Sequence, residues 1–232
     1  MLIERFFTPG LAQVAYLVAD EATREAVLID PRRDVDEYMV WTRDRGLTIT
    51  AILETHIHAD FVSGARELAA EAKAPIYVSA YGGAAWADHM LQDGEELPVG
   101  RRLLRAMWTP GHTPEHLSYL LIDPSQGAGP VALFSGDALF AGEVGRPDLL
   151  GAGATERLAG QLYHTVVDRL SRLDDAVVVY PGHTAGSACG KKIGNAPRTS
   201  IGHEKRFNYA FQARSMESVS YTHLTLPTIC SV

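Results

Sequence analysis

The segment Thr55-His56-Ile57-His58-Ala59-Asp60-Phe61 sets two imidazoles one residue apart, with a carboxylate two residues further on. Neutral imidazoles are common metal ligands, and a carboxylate adds a hard oxygen, either as a ligand or as a group that orients one. The same residues would also suit a polar loop in which Asp60 caps a helix starting at Phe61. Three further segments tip the balance toward metal. Thr109-Pro110-Gly111-His112-Thr113 and Tyr180-Pro181-Gly182-His183-Thr184 each offer a histidine in a Gly-containing turn, and Phe134-Ser135-Gly136-Asp137 offers an aspartate in the same setting. Each segment follows an apolar run, so the pattern reads as a metal centre assembled from distant parts of the chain.

Those apolar runs are the elements that must position the ligands. QVAYLVAD and EAVLIDP (25–31) read as strands, 34–46 as an amphipathic helix stopped by Gly46, and 48–56 as a strand whose end delivers His56. A helix over 61–73 and a short strand over 75–79 follow. Strands over 102–113, 116–122 and 131–139, a long helix over 156–173 and a strand over 176–184 complete the pattern. Strands and helices in this order imply a layered α/β domain. Such domains carry their chemistry in loops at the C-terminal ends of strands.

The chain's 232 residues suit one large domain or two small ones. No run approaches the roughly 20 apolar residues of a membrane span, and MLIERFFTPG lacks the pattern of a secretory signal. Only Cys189 and Cys230 are available for disulfides, so a reducing cytoplasm is the expected compartment. A formal net charge of −7 argues against nucleic acid as the main partner. Residues 1–217 are expected to form the catalytic domain. Residues 218–232 carry no Asp, Glu, Lys or Arg, lack helical periodicity and read like translated vector sequence, so they are expected to be a non-native tail on a truncated protein. His223 and Cys230 are set aside with them.

In this order and spacing, THIHAD, TPGHT, SGD and PGHT resemble the metallo-β-lactamase superfamily, over roughly residues 10–212. The resemblance implies an αββα sandwich, with two sheets packed face to face and helices outside. It also implies a choice among hydrolases, glyoxalase II enzymes and persulfide dioxygenases. The family motif is H-x-H-x-D-H, and here its last position is Phe61. A phenyl ring cannot coordinate, which weakens a binuclear zinc hydrolase. The remaining His56, His112 and Asp137 match the two-histidine, one-carboxylate set of non-heme Fe(II) oxygenases. The resemblance assigns these positions to iron in the persulfide dioxygenase branch. THIHADFVSGARELA, GDALFAGEVGRPDLLG and GSACGKKIGNAPRTSIGHEKRFN are similar to bacterial members fused to rhodanese domains. His58, Asp60 and His183 then either orient ligands and handle protons or are relics of a binuclear site.

The implied reaction takes a persulfide, O₂ and water to a thiol and sulfite, with one Fe(II) per chain; zinc is the alternative metal. Glutathione, coenzyme A, cysteine or a protein would carry the persulfide. Lys191, Lys192 and Arg198, after His183, would hold carboxylates or phosphates of the carrier, or form a solvated basic patch. Arg146 and Asp148 are expected to pair and brace the Asp137 loop. Cys189 would handle sulfane sulfur or be a buried thiol, and Tyr119, Tyr163 and Tyr180 are core or rim residues. A homodimer is the default assembly, and a rhodanese partner or fused domain accompanies the resemblance. The rival readings are a glyoxalase II-like thioester hydrolase with two metals and a catalytically silent binding protein.

Overall fold

Gln13–Asp20 is buried at every position because the strand it forms is covered on both faces. Val14, Tyr16 and Val18 enter one apolar cluster, while Ala15, Leu17 and Ala19 enter another, as alternate side chains of a strand must. Coverage on both sides removes the polar–apolar alternation and leaves a continuous apolar run. The computed structural model describes residues 1–213; the suspected tail, with His223 and Cys230, lies outside the described residues.

Strands β1 (Leu2–Thr8), β2 (Gln13–Asp20), β3 (Glu25–Ile29), β4 (Thr48–Leu53), β5 (Ile76–Ser79) and β6 (His89–Leu91) form one six-stranded sheet in that spatial order. The second sheet contains β7 (Glu96–Val99), β8 (Arg102–Trp108), β9 (Leu117–Ile122) and β10 (Pro130–Gly136). After a small ribbon of β11 (Leu139–Phe140) and β12 (Glu143–Val144), it is completed by β13 (Val178–Pro181) and β14 (Thr199–Ser200), in the order β14-β13-β10-β9-β8-β7. The sheets share a core of Val14, Tyr16, Leu53, Leu104, Tyr119 and Phe134. Helices α1 (Asp36–Asp44) and α2 (Ala65–Ala72) cover the first sheet through Tyr38 and Leu68. Helices α3 (Ala152–His164), α4 (Ile201–Phe207) and α5 (Tyr209–Gln212) pack outside the second, where Leu162, Ile201 and Ala210 are buried. The architecture is the αββα sandwich. No helix among the described residues is long and apolar enough to cross a membrane.

Two departures from the sequence reading shape the site. The helix expected from Phe61 begins at Ala65, with no side-chain cap. A Cβ on Gly64 would stand 2.0 Å from the Arg32 carbonyl oxygen, so the chain crosses the 31–33 backbone there before it can coil. Residues 57–64 are therefore a loop, and Asp60 caps nothing. The long helix expected over 156–173 ends as α3 and continues into a π turn at Thr165–Arg169 and a 3₁₀ turn at Leu170–Arg172. Where the winding changes, Thr165 Oγ1 donates to the Pro110 carbonyl at 2.7 Å, pinning the loop that carries His112. Strand β1 and the β6–β7 region were not expected from the pattern at all.

Candidate metal centre

Strands β8, β10 and β13 run in one direction within their sheet, so their C-terminal loops gather at one edge. The end of β4 joins them from the other sheet. Backbone bonds from Leu117 N to Thr55 O and from Val14 N to Gly182 O, each 2.7 Å, sew the sheets together there. The loops bring His56, His112 and Asp137 into one cluster whose ligand atoms all lie within 4.8 Å of one another. Asp137 Oδ2 faces His112 Nε2 at 3.5 Å and His56 Nε2 at 3.9 Å. It is buried and has no hydrogen-bond partner.

The other ring nitrogens are spoken for, which settles the tautomers. Thr55 Oγ1 donates its one hydrogen to Asp30 Oδ2 at 2.8 Å, so at 2.9 Å it must accept from His56 Nδ1–H. The Arg146 carbonyl accepts from His112 Nδ1–H at 3.2 Å. Both Nε2 lone pairs therefore point at Asp137, as metal-binding histidines oriented by outer groups do. Burial, then the neighbouring His58, keeps His56 well below the ordinary imidazole range, and burial likewise lowers His112. Burial would raise Asp137, but the charge and hydrogen bond of His183, with His112 and His56, hold it well below its usual value. An orphaned buried carboxylate oxygen opposite two neutral imidazoles fits a divalent cation.

Asp60 and His183 do something different. His183 Nδ1 donates to Asp137 Oδ1 at 2.7 Å and Nε2 donates to Asp60 Oδ2 at 2.9 Å. Burial alone would lower its pKa, yet Asp137 and Asp60 raise it to about 9. With both nitrogens donating in this arrangement, His183 links the two carboxylates; Asp60, His183 and Cys189 also lie close enough together to hold a metal ion. Cys189 is buried beside this pair, with its ligand atom within 4.8 Å of theirs. Burial and then Asp137 push its pKa up, so it is a thiol at neutral pH.

His58 turns away from the cluster. Its Nε2 lies 3.2 Å from Asp30 Oδ1 and 3.1 Å from Glu54 Oε2, while its ring packs on Phe61 with centroids 4.3 Å apart. Arg146 and Asp148 form the expected bidentate pair. The brace falls elsewhere than expected: the Arg146 N–H donates to the Cys189 carbonyl at 3.0 Å and the Arg146 carbonyl serves His112, so it ties His112 to the Cys189 loop. Lys191, Lys192 and Arg198 are exposed on that loop, and the structure does not bring them into the ligand cluster. Tyr119 is core, its hydroxyl donating to the Glu54 carbonyl; Tyr163 and Tyr180 are partly buried.

Sequence reading missed His116, which is fully buried under the site. Its Nε2 accepts from the Asp137 N–H at 3.0 Å, and its Nδ1–H donates to Thr109 Oγ1 at 2.9 Å. Burial lowers its pKa to about 3, which keeps it the neutral acceptor that this arrangement needs. It also stacks on His56, with centroids 5.0 Å apart. Gly136 completes this layer: its φ is +50°, and a Cβ would stand 2.7 Å from both His116 Nε2 and Thr55 Oγ1. Asp30, Thr55 and Glu54 were likewise missed. The only hint was their place at the ends of strands.

Comparison with known proteins agrees with this geometry. The family profile described as the metallo-beta-lactamase superfamily matches residues 8–183. The mitochondrial persulfide dioxygenase ETHE1 of Bos taurus is 32% identical over 186 residues, covering 79% of this chain and 68% of its own. A hydroxyacylglutathione hydrolase of Polaromonas sp. is 36% identical over 187 residues, covering 79% of this chain and 66% of its own. The crystal structure of ETHE1 from Myxococcus xanthus superposes with a TM-score of 0.82 at 33% identity, covering 98% of this chain and 93% of that one.

Proposed function

The chain belongs to the metallo-beta-lactamase superfamily, and within it we propose that this protein is an iron-dependent persulfide dioxygenase. In this reading R–S–SH, O₂ and water become R–SH and sulfite. The observation that carries it is the donor set. Two neutral imidazole Nε2 atoms and one orphaned carboxylate oxygen converge, while the adjoining Asp60–His183–Asp137 chain spends both nitrogens of His183 on hydrogen bonds. Two imidazoles and a carboxylate leave positions open, the pattern of non-heme iron oxygenases. A ferrous ion held by His56, His112 and Asp137 would supply the redox chemistry and open positions for a soft sulfur donor and O₂.

The chain's own groups supply position and protons. Thr55 and the Arg146 carbonyl hold the imidazoles in the productive tautomer, and His116 fixes the Asp137 backbone. His183 occupies one oxygen of Asp137 and leaves the other free; through Asp60, which is partly exposed, it offers a proton path between the buried carboxylate and solvent. Cys189 lines this side as a neutral thiol. Lys191, Lys192 and Arg198 would attract the carboxylates of glutathione or the phosphates of coenzyme A. The reading extends to a cytoplasmic homodimer served by a rhodanese partner or fused domain.

The similarity to a hydroxyacylglutathione hydrolase favours a second reading, a zinc-dependent thioester hydrolase. Metal analysis separates the two, because binuclear hydrolysis needs a bridging pair. Protein loaded with excess iron or zinc should retain one ion per chain. Two ions per chain, with thioester cleavage, would favour the hydrolase.

A further inference from the structure

The His-x-His pair sets two imidazoles on one loop, yet only His56 faces Asp137. The His58 ring lies 4.2 Å from that of His56, centroid to centroid, and is turned toward Asp30 and Glu54. These acids are anchored by groups that have nothing to do with His58. Asp30 accepts from the Thr55 N–H at 2.7 Å and from its hydroxyl at 2.8 Å, and Glu54 accepts from the Ser63 hydroxyl. The His58 side chain is 4% exposed and that of Glu54 is 3%. Neither His58 nitrogen nor Glu54 Oε2 has a partner in hydrogen-bond geometry, so the ring is placed by its close approach to the two acids and by Phe61 packed 4.3 Å away rather than by a directed bond.

The consequence concerns coordination number. A third imidazole beside His56, His112 and Asp137 would complete four donors, the closed tetrahedral set that zinc favours. Two imidazoles and a carboxylate leave positions open, the set suited to ferrous iron. We propose that Glu54 and Asp30, with Phe61 behind, hold His58 out of the metal centre and thereby select both its coordination number and its metal. Glu54 is the positioning residue: a buried carboxylate that takes the Ser63 hydroxyl on one oxygen and faces an imidazole of the His-x-His motif with the other. The inference rests on the single-metal reading above.

Cobalt(II) is the probe, because its visible absorption is weak in five- or six-coordinate sites and strong in tetrahedral ones. Wild-type protein loaded with cobalt should absorb weakly. Glu54→Gln should absorb several-fold more strongly and shift retention toward zinc over iron by about tenfold, the size expected for groups outside the ligand set. Adding His58→Phe to Glu54→Gln should return the weak spectrum. An unchanged spectrum and metal preference in Glu54→Gln would overturn the proposal. If that variant fails to fold, X-ray absorption on zinc-loaded wild type decides: two imidazoles per zinc are expected, and three would overturn it. One zinc with three imidazoles would sink this proposal alone, whereas two metals per chain would sink the single-metal reading itself.

Discussion

If the proposed reading holds, Asp137→Ala is expected to strip the centre of metal and to lower oxygen uptake by more than about a hundredfold, the upper end for loss of an outer group, because it removes the one anionic member of the proposed ligand set. Asp137 is fully buried and serves three histidines at once: Oδ2 faces His56 and His112, and Oδ1 accepts from His183. Truncation leaves a buried His183 with a single carboxylate partner, Asp60, and two imidazoles with no negative charge between them. His112→Ala removes one neutral donor and is expected to cost less. Metal content after dialysis and turnover of reloaded protein check both. Wild-type metal content in Asp137→Ala would remove this residue from the centre.

The second large effect comes from a residue with no side chain. Gly145→Ala would set a Cβ 1.9 Å from the Asp137 carbonyl oxygen and 2.8 Å from His112 Cβ. Neither neighbour is the flexible end of a side chain, so backbone must move, and the backbone that moves carries two of the three proposed ligands. A loss of about 3 kcal/mol or more is expected, the scale of severe overpacking, together with weakened metal binding. Denaturant unfolding of the metal-free variant and a metal titration measure the two effects separately. Stability within about 0.5 kcal/mol of wild type, the range of neutral surface changes, would contradict the close approach.

Much of this cluster was legible in the sequence because its residues sit in short loops with strong local signatures. His56, His112, Asp137 and His183 each follow an apolar run and lie in or beside turns rich in small residues, so strand ends and chemistry could be read together. The residues that orient them were not legible. Asp30 lies 25 residues before Thr55, and the pairing exists only because β3 and β4 run parallel and side by side. Asp30 also adopts a φ of +52°, a strained choice for aspartate that no local pattern announces. His116 looked like the first residue of a strand, although its role depends on the Asp137 N–H, 21 residues later. Spacing alone left His58 two fates, and the acids that decide between them are buried neighbours rather than motif members. The same limit applied to the long helix: Thr165, where the winding changes from α to π, bonds the Pro110 carbonyl across 55 residues.

Oxygen consumption separates a dioxygenase from a thioester hydrolase at this site. Protein loaded anaerobically with iron, then given glutathione persulfide in an oxygen electrode cell, is expected to consume O₂ and to release sulfite in equal amount. It should leave a glutathione thioester intact under the same conditions. Thioester cleavage with neither oxygen uptake nor sulfite would rule out the dioxygenase and return this chain to the hydrolases.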